Sequence, residues 1–219
     1  MIFLITKKQL PFIATFLNLV CGVYSLVMIF SKNLNLAVFL ILIGGIFDFF
    51  DGWLAYKSNS CTQLGKQLDS LADLVTFGIA PAFLYFQFSY STSLLFKVSI
   101  ITVYIFSTVF RLARFNSLTY ENTKDYFYGL PVTIAGCASV SYFLSIIELE
   151  AYFAGLFTGL FLFLSSILMI SNVRYPNSSF VISVIKRNLF IMFSFLILLF
   201  FLVIKVDLFE ILSISFILY

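Results

Sequence analysis

The chain has 219 residues, of which 62% are hydrophobic and only 11% are charged, and its mean hydropathy is +1.08. Soluble domains carry about 25% charged residues, so this composition predicts an all-α integral membrane protein. A net charge of +3, scattered between apolar runs, indicates no nucleic-acid partner. The absence of His excludes imidazole zinc sites and Ser-His or Cys-His nucleophile pairs.

Apolar runs long enough to cross a bilayer, about 17 to 25 residues each, predict the membrane helices. The first six predicted helices span residues 11–30, 34–56, 66–88, 93–115, 130–147 and 152–171. Two further helices are expected over 189–204 and 208–219, separated by Lys205 and Asp207. We therefore expect six helices within residues 1–187, followed by a C-terminal helix or helical hairpin over 188–219.

The basic residues predict the orientation in the membrane. If the N-terminus is cytosolic and the helices alternate, ten of the 13 Lys and Arg residues lie on the inner side and three on the outer side. The outer three are Lys32, Lys97 and Lys205. This bias follows the positive-inside rule, so we expect a multi-pass protein of the cytoplasmic membrane whose loop after the second helix faces the cytosol.

Four aspartates lie in the stretch FDFFDGWLAYKSNSCTQLGKQLDSLAD, residues 47–73, between two apolar runs. Asp48 and Asp51 are three residues apart, and Asp69 and Asp73 are four apart, so each pair projects from one face of a helix. The two pairs are mirrored about a polar break near residue 60. An antiparallel hairpin folded there would set Asp51 near Asp69 and Asp48 near Asp73.

Four like charges in a low-dielectric environment repel one another unless cations neutralise them. Carboxylates without imidazole or thiolate ligands suit Mg²⁺ or Mn²⁺, and four acids could hold two ions. Gly52 and Gly65 flank the aspartates and leave space for a phosphate to approach the backbone. Two alternatives to a catalytic metal site are compatible with these residues. The acids could lie at helix ends and pair with Lys57 and Lys66, or the protein could be a cation or proton transporter that uses the acids as its ion site.

The pattern Asp-x-x-Asp-Gly-x-x-Ala, followed by Gly-x-x-x-Asp-x-x-x-Asp, resembles the signature of the CDP-alcohol phosphatidyltransferases. The resemblance implies a six-helix core, commonly a homodimer, that transfers a phosphatidyl group from a CDP-linked lipid to an alcohol, with a divalent metal and release of CMP. It implies that three aspartates bind metal and that the fourth, Asp73, is a base that can also contact metal. Tyr56 stands where the family has Arg, and Lys57 follows it about 100° around the helix. The implied metal ligands are Asp48, Asp51, Asp69 and Asp73, and the positions expected near the nucleotide and phosphates are Gly52, Ala55, Lys57 and Gly65.

Four further segments resemble the phosphatidylserine synthase branch of that family: QLDSLADLVTFGIAPA, FRLARFN, YGLP and LMISNVRYP. This resemblance runs from the first helix to about residue 176 and implies CDP-diacylglycerol and L-serine as substrates. Arg111 and Arg114 share a helix face and could hold the serine carboxylate, with Asn116 as a polar partner. The spacing of the two arginines is equally compatible with side chains that anchor the helix end at the lipid headgroups. Other branches, which use glycerol phosphate, inositol or inositol phosphate, are the nearest alternatives.

Overall fold

Six helices account for most of the residues that the computed structural model describes, namely 10–57, 62–89, 92–117, 126–146 and 151–176. The helices are α1 (Leu10–Phe30), α2 (Leu34–Lys57), α3 (Gln63–Phe88), α4 (Leu94–Ser117), α5 (Val132–Ile146) and α6 (Ala151–Ile170), and two three-residue strands are β1 (Tyr126–Tyr128) and β2 (Arg174–Pro176). Every helix end lies within three residues of its predicted position. The two helices predicted after residue 188 lie outside the described residues.

The chain divides into two compact units, and all six helices belong to the first. That unit comprises residues 1–123 and 128–175, and the second comprises 124–127 and 176–219. Within the described ranges, five helices are long and apolar enough to cross a membrane, and α5 is a shorter apolar helix. Large apolar side chains such as Phe16, Phe106 and Leu160 are exposed on these helices. The fold is therefore that of an all-α, multi-pass membrane protein, as predicted.

Specific hydrogen bonds define the turn between α1 and α2 and the beginning of α3. Lys32 has a φ of +62°, and the Asn33 N–H donates to Met28 O at 2.9 Å, which closes the end of α1 in a Schellman-type turn. Asn33 Oδ1 then accepts from the Leu36 N–H at the start of α2. Thr62 caps α3 in the same manner, because its hydroxyl accepts from the Gly65 N–H at 3.0 Å.

Helix α3 lies at the centre of the unit and contacts each of the other five helices. It is not a uniform α-helix, because residues Leu74–Ile79 form a π-helical segment directly after Asp73. The hydroxyl of Tyr104, on α4, donates to Phe77 O within this segment at 2.9 Å, and both residues are fully buried. Single π turns occur frequently at functional sites. The sequence prediction of one continuous α-helix missed this feature.

Three glycines on neighbouring helices allow close approach to the π-helical segment. A Cβ atom at Gly22 of α1 would collide with the Thr76 side chain, and one at Gly44 of α2 would lie 2.6 Å from Thr76 Cγ2. A Cβ atom at Gly136 of α5 would lie 2.6 Å from Phe77 Cβ. Small residues of this kind let membrane helices pack backbone against backbone. The glycines thereby hold α1, α2 and α5 around the part of α3 that follows Asp73.

Candidate active site

Four aspartates from two helices meet near the connection between α2 and α3. One carboxylate oxygen each from Asp48, Asp51 and Asp69 lies within 4.8 Å of the other two. Asp48 interacts with Asp73, and Asp51 interacts with Asp69. The structure thus brings together the pairs expected from the spacing in an antiparallel hairpin.

The aspartate cluster has no basic partner in the part of the chain that the structure describes. The charges acting on Asp51, Asp69 and Asp73 are those of other aspartates. Asp51 and Asp73 are only 5% and 7% exposed, and Asp69 Oδ1 is buried without a hydrogen-bond partner. Unpaired like charges in such surroundings are unfavourable without a cation. An all-carboxylate set that leaves a buried oxygen free fits a hard divalent metal ion.

Neutral side chains from other helices donate to three of the four aspartates, and we call them the neutral donors: Thr15, Asn18 and Thr133. The Thr15 hydroxyl donates to Asp51 Oδ2 at 2.9 Å, the Asn18 amide to Asp73 Oδ1 at 3.0 Å, and the Thr133 hydroxyl to Asp48 Oδ2 at 2.8 Å. Thr15 and Asn18 lie on α1 and Thr133 lies on α5. The cluster is therefore enclosed by α1 and α5 in addition to its own two helices.

Sequence reasoning did not assign any of the neutral donors. Polar residues at positions 15 and 18 of an apolar helix, three residues apart, are a signal that both face the same neighbour. That spacing could have indicated a contact with the aspartates. Thr133 follows the YGLP segment and carries no comparable signal, because its distance of 85 residues from Asp48 is bridged only by the tertiary fold.

The residues expected near the nucleotide and phosphates differ in their surroundings. A Cβ atom at Gly52 would meet nothing within 4 Å, whereas one at Gly65 would lie 3.0 Å from the capping hydroxyl of Thr62. Ala55 is half-buried. Lys57 is exposed, and its ammonium lies 4.7 Å from the centroid of the Trp53 ring. The side chain of Tyr56 lies outside the described residues.

Arg111 and Arg114 of α4 have contrasting environments. Arg111 is only 6% exposed, its Nε has no hydrogen-bond partner, and its guanidinium lies 5.4 Å from the centroid of the Phe115 ring. Arg114, by contrast, donates to the carbonyl oxygens of Tyr128, Met169, Ile170 and Ser171 and to Asn172 Oδ1, at 2.7 to 3.4 Å. Carbonyls at a helix C-terminus attract such a cation. Arg114 thus ties the end of α6 to α4, while Arg111 retains an unpaired donor.

Asn116 contacts the N-terminal half of α3. Its amide donates to Ser70 Oγ at 2.9 Å. One turn earlier on α3, the Lys66 ammonium donates to Phe115 O at 2.9 Å. These two contacts join the end of α4 to the helix that carries Asp69 and Asp73. Asn116, one of the expected serine-binding residues, therefore adjoins the aspartate helix from the α4 side.

Comparisons with known proteins agree with this architecture. A CDP-diacylglycerol–serine O-phosphatidyltransferase of Bacillus subtilis (strain 168) is 33% identical over 173 residues, which cover 78% of this chain and 91% of the relative. An archaetidylserine synthase of Methanothermobacter thermautotrophicus is 33% identical over 172 residues, which cover 76% of this chain and 69% of the relative. A CDP-diacylglycerol–serine O-phosphatidyltransferase of Saccharomyces cerevisiae is 39% identical over 132 residues, which cover 54% of this chain and 47% of the relative. The profile of the family described as CDP-alcohol phosphatidyltransferase matches residues 8–173, a range that contains all four aspartates and the three neutral donors. The chain therefore belongs to the CDP-alcohol phosphatidyltransferase family.

Proposed function

We propose that this protein transfers the phosphatidyl group of CDP-diacylglycerol to the hydroxyl of L-serine, releasing CMP. The observation that carries the proposal is the meeting of four carboxylates from two helices of a CDP-alcohol phosphatidyltransferase, with no basic partner among the described residues. The names of the similar proteins support serine as the acceptor, because the bacterial, archaeal and yeast relatives are all named for serine products or substrates. The reaction belongs to phospholipid biosynthesis.

The aspartate cluster is proposed to hold Mg²⁺ or Mn²⁺, with two ions as the number that four carboxylates could accommodate. Asp48, Asp51 and Asp69 are the proposed ligands, and Asp73 is a further possible ligand. Such ions would neutralise the diphosphate of the substrate and the charge of the departing phosphate. The buried, partnerless Asp69 Oδ1 and the close approach of three ligand atoms support this assignment.

Asp73 is the proposed general base. It would take the proton of the serine hydroxyl while that oxygen forms a bond to the lipid-side phosphorus and the bond from that phosphorus to the CMP oxygen breaks. The hydrogen bond from Asn18 to Asp73 Oδ1 supports this role, because it holds the carboxylate in a fixed orientation. The Asp73 side chain is only 7% exposed, so bulk water has little access to the carboxylate that is proposed to accept the proton.

The backbone around Gly52 is the proposed path by which the diphosphate reaches the aspartates. This proposal is supported by the open space beside Gly52, where an added Cβ atom would meet nothing within 4 Å. Ala55 and Gly65 add little bulk nearby, and the exposed Lys57 supplies a positive charge for the phosphates from the end of α2. Because Tyr56 replaces the family's Arg, Lys57 is the adjacent cation that we propose for this contact.

Arg111 is the proposed partner of the serine carboxylate. A buried guanidinium with a free Nε is well suited to an anionic ligand that satisfies it on binding. Asn116 is proposed to contribute a polar contact at the same end of α4. Arg114 was expected to share the carboxylate, but its donors already contact five acceptors at the end of α6 and near β1. We therefore propose that Arg114 contributes to this site by holding α4 in position.

The site is proposed to face the cytosol from the cytoplasmic membrane. Lys57, Lys66, Arg111 and Arg114 all lie at the aspartate end of their helices, whereas Lys32 and Lys97 lie at the opposite ends, which supports this orientation. The division into a core over 1–187 and a C-terminal helical segment over 188–219 remains a proposal, and so does the homodimer implied by the family resemblance. Cross-linking in native membranes would test the dimer.

The function is tested by incubating membranes that contain the protein with CDP-diacylglycerol, Mn²⁺ or Mg²⁺, and one alcohol at a time. We expect CMP release with L-serine, and little with glycerol phosphate, inositol or inositol phosphate. The matched control is Asp73→Asn, which should remain in the membrane and release no CMP. Release with another alcohol and not with serine would reassign the acceptor. Ion flux in proteoliposomes without any CMP release would favour the transporter alternative.

A further inference from the structure

The neutral donors orient three aspartates without reducing the negative charge of the cluster. Each donates to one oxygen of its aspartate. A Lys or Arg in the same place would cancel part of the charge and compete with a bound cation. Hydroxyl and amide groups fix the rotation of the carboxylate and keep its full charge. The residue types are therefore those expected of groups that position metal ligands.

Asn18 makes a contact that packing alone does not explain. It is fully buried, and its Oδ1 has no hydrogen-bond partner. An apolar side chain of similar size would leave no such oxygen. The amide is oriented by Asp73, because a carboxylate accepts hydrogen bonds and needs the NH₂ side of the amide. Gly44 accommodates the other side, since a Cβ atom there would lie 3.1 Å from Asn18 Oδ1.

The Thr15 hydroxyl is also directed at a carboxylate although an ordinary partner is available. It has one proton and two acceptors within reach, Pro11 O at 3.1 Å and Asp51 Oδ2 at 2.9 Å. Buried threonines of membrane helices commonly bond only to the carbonyl four residues earlier, as Thr158 does with Ala154 O at 2.8 Å. Thr158 is thus a matched control that has the same side chain and burial but no carboxylate partner.

We propose that the neutral donors are positioning residues, each of which fixes the carboxylate oxygen that its aspartate presents to the divalent metal ion. The inference rests on the metal site of the proposed function. Asp69 lacks such a donor within the described part of the chain, so it is the carboxylate free to adjust when an ion binds. Loss of such supporting hydrogen bonds typically lowers metal affinity by about 10- to 100-fold.

The test is Mn²⁺ binding to the purified full-length protein in lipid nanodiscs, measured by electron paramagnetic resonance without substrates. The donor-less variants are Thr15→Val, Thr133→Val and Asn18→Leu. Thr15→Ser and Thr133→Ser keep the hydroxyl, and Thr158→Val is the control. If a valine variant does not fold, alanine at the same position replaces it. If Asn18→Leu does not fold, the two threonine positions decide the test.

We expect each donor-less variant to bind Mn²⁺ about 10- to 100-fold more weakly than wild type, while the serine variants and Thr158→Val stay within about threefold. Excess Mn²⁺ should then restore much of the CMP release. Unchanged Mn²⁺ affinity in Thr15→Val and Thr133→Val, or an equal loss in Thr158→Val, would overturn the inference. Failure of the wild-type protein to bind Mn²⁺ would instead reject the proposed metal site, whichever alcohol is the acceptor.

Discussion

Replacing Arg111 by Met should weaken serine binding without unfolding the protein. The guanidinium is 6% exposed, its Nε has no partner, and no carboxylate in the described ranges pairs with it. A buried charge without a counter-ion lowers stability, so its removal should leave the melting temperature unchanged or raise it. If serine supplies the missing carboxylate, the same substitution should be costly for the enzyme–serine complex.

The magnitude follows from the hydrogen bonds that the bound carboxylate would lose. A hydrogen bond to a charged group contributes about 1.5 to 3 kcal/mol. At about 1.4 kcal/mol for each factor of ten, Arg111→Met should raise the KM for serine by about 10- to 150-fold. Arg111→Lys keeps the charge but loses the planar fork, so its KM should lie between those of wild type and Arg111→Met.

The assay is CMP release at varied serine with saturating CDP-diacylglycerol and metal, together with a melting curve for each variant. The KM for CDP-diacylglycerol should change little. Arg114→Lys provides the contrast: it should lower the melting temperature, because it removes contacts to the end of α6, and change the serine KM far less. A serine KM within twofold of wild type in Arg111→Met would refute the assignment of Arg111.

Four further substitutions separate chemistry, packing and phosphate binding. Asp73→Asn should abolish turnover and leave the protein in the membrane, measured by CMP release and membrane fractionation. Gly22→Ala should lower the melting temperature, because its Cβ would collide with Thr76, whereas Gly52→Ala should leave that temperature unchanged, because its Cβ meets open space. Gly52→Ala should instead raise the KM for CDP-diacylglycerol. Tyr56→Arg should lower that KM by supplying a bidentate phosphate contact.

Three of these substitutions have an outcome that would contradict the reasoning behind them. Near-normal turnover in Asp73→Asn would remove Asp73 as the base. Equal melting temperatures for Gly22→Ala and wild type would contradict the close contact of α1 with the π-helical segment. An unchanged KM for CDP-diacylglycerol in Tyr56→Arg would indicate that Lys57 or another residue already contacts the diphosphate.

Local patterns in the sequence predict the helices and the aspartate cluster. Runs of apolar residues are sufficient to place a membrane helix, because a span must satisfy its own backbone hydrogen bonds. The spacing of Asp48 and Asp51, and of Asp69 and Asp73, predicts a shared face on each helix. Asp48 and Asp51 of α2 meet Asp69 and Asp73 of α3 as this pattern predicts, while the donors from α1 and α5 come from outside that pair of helices.

Features that depend on distant helices could not be predicted in the same way. Gly22, Gly44 and Gly136 approach the π-helical segment after Asp73 from three other helices, and no local pattern encodes these contacts. The different contacts of Arg111 and Arg114 have the same origin. The two share a face and a local sequence, but only Arg114 reaches the carbonyls at the end of α6.

The most direct test of the proposed reaction follows one oxygen atom. The purified protein would be given CDP-diacylglycerol, Mn²⁺ and L-serine labelled with ¹⁸O in its hydroxyl group, and the lipid product would be analysed by mass spectrometry. Attack by the serine hydroxyl on the lipid-side phosphorus predicts phosphatidylserine that retains the label, formed in equal amount to CMP. CMP release without a labelled serine lipid would contradict the proposed transfer.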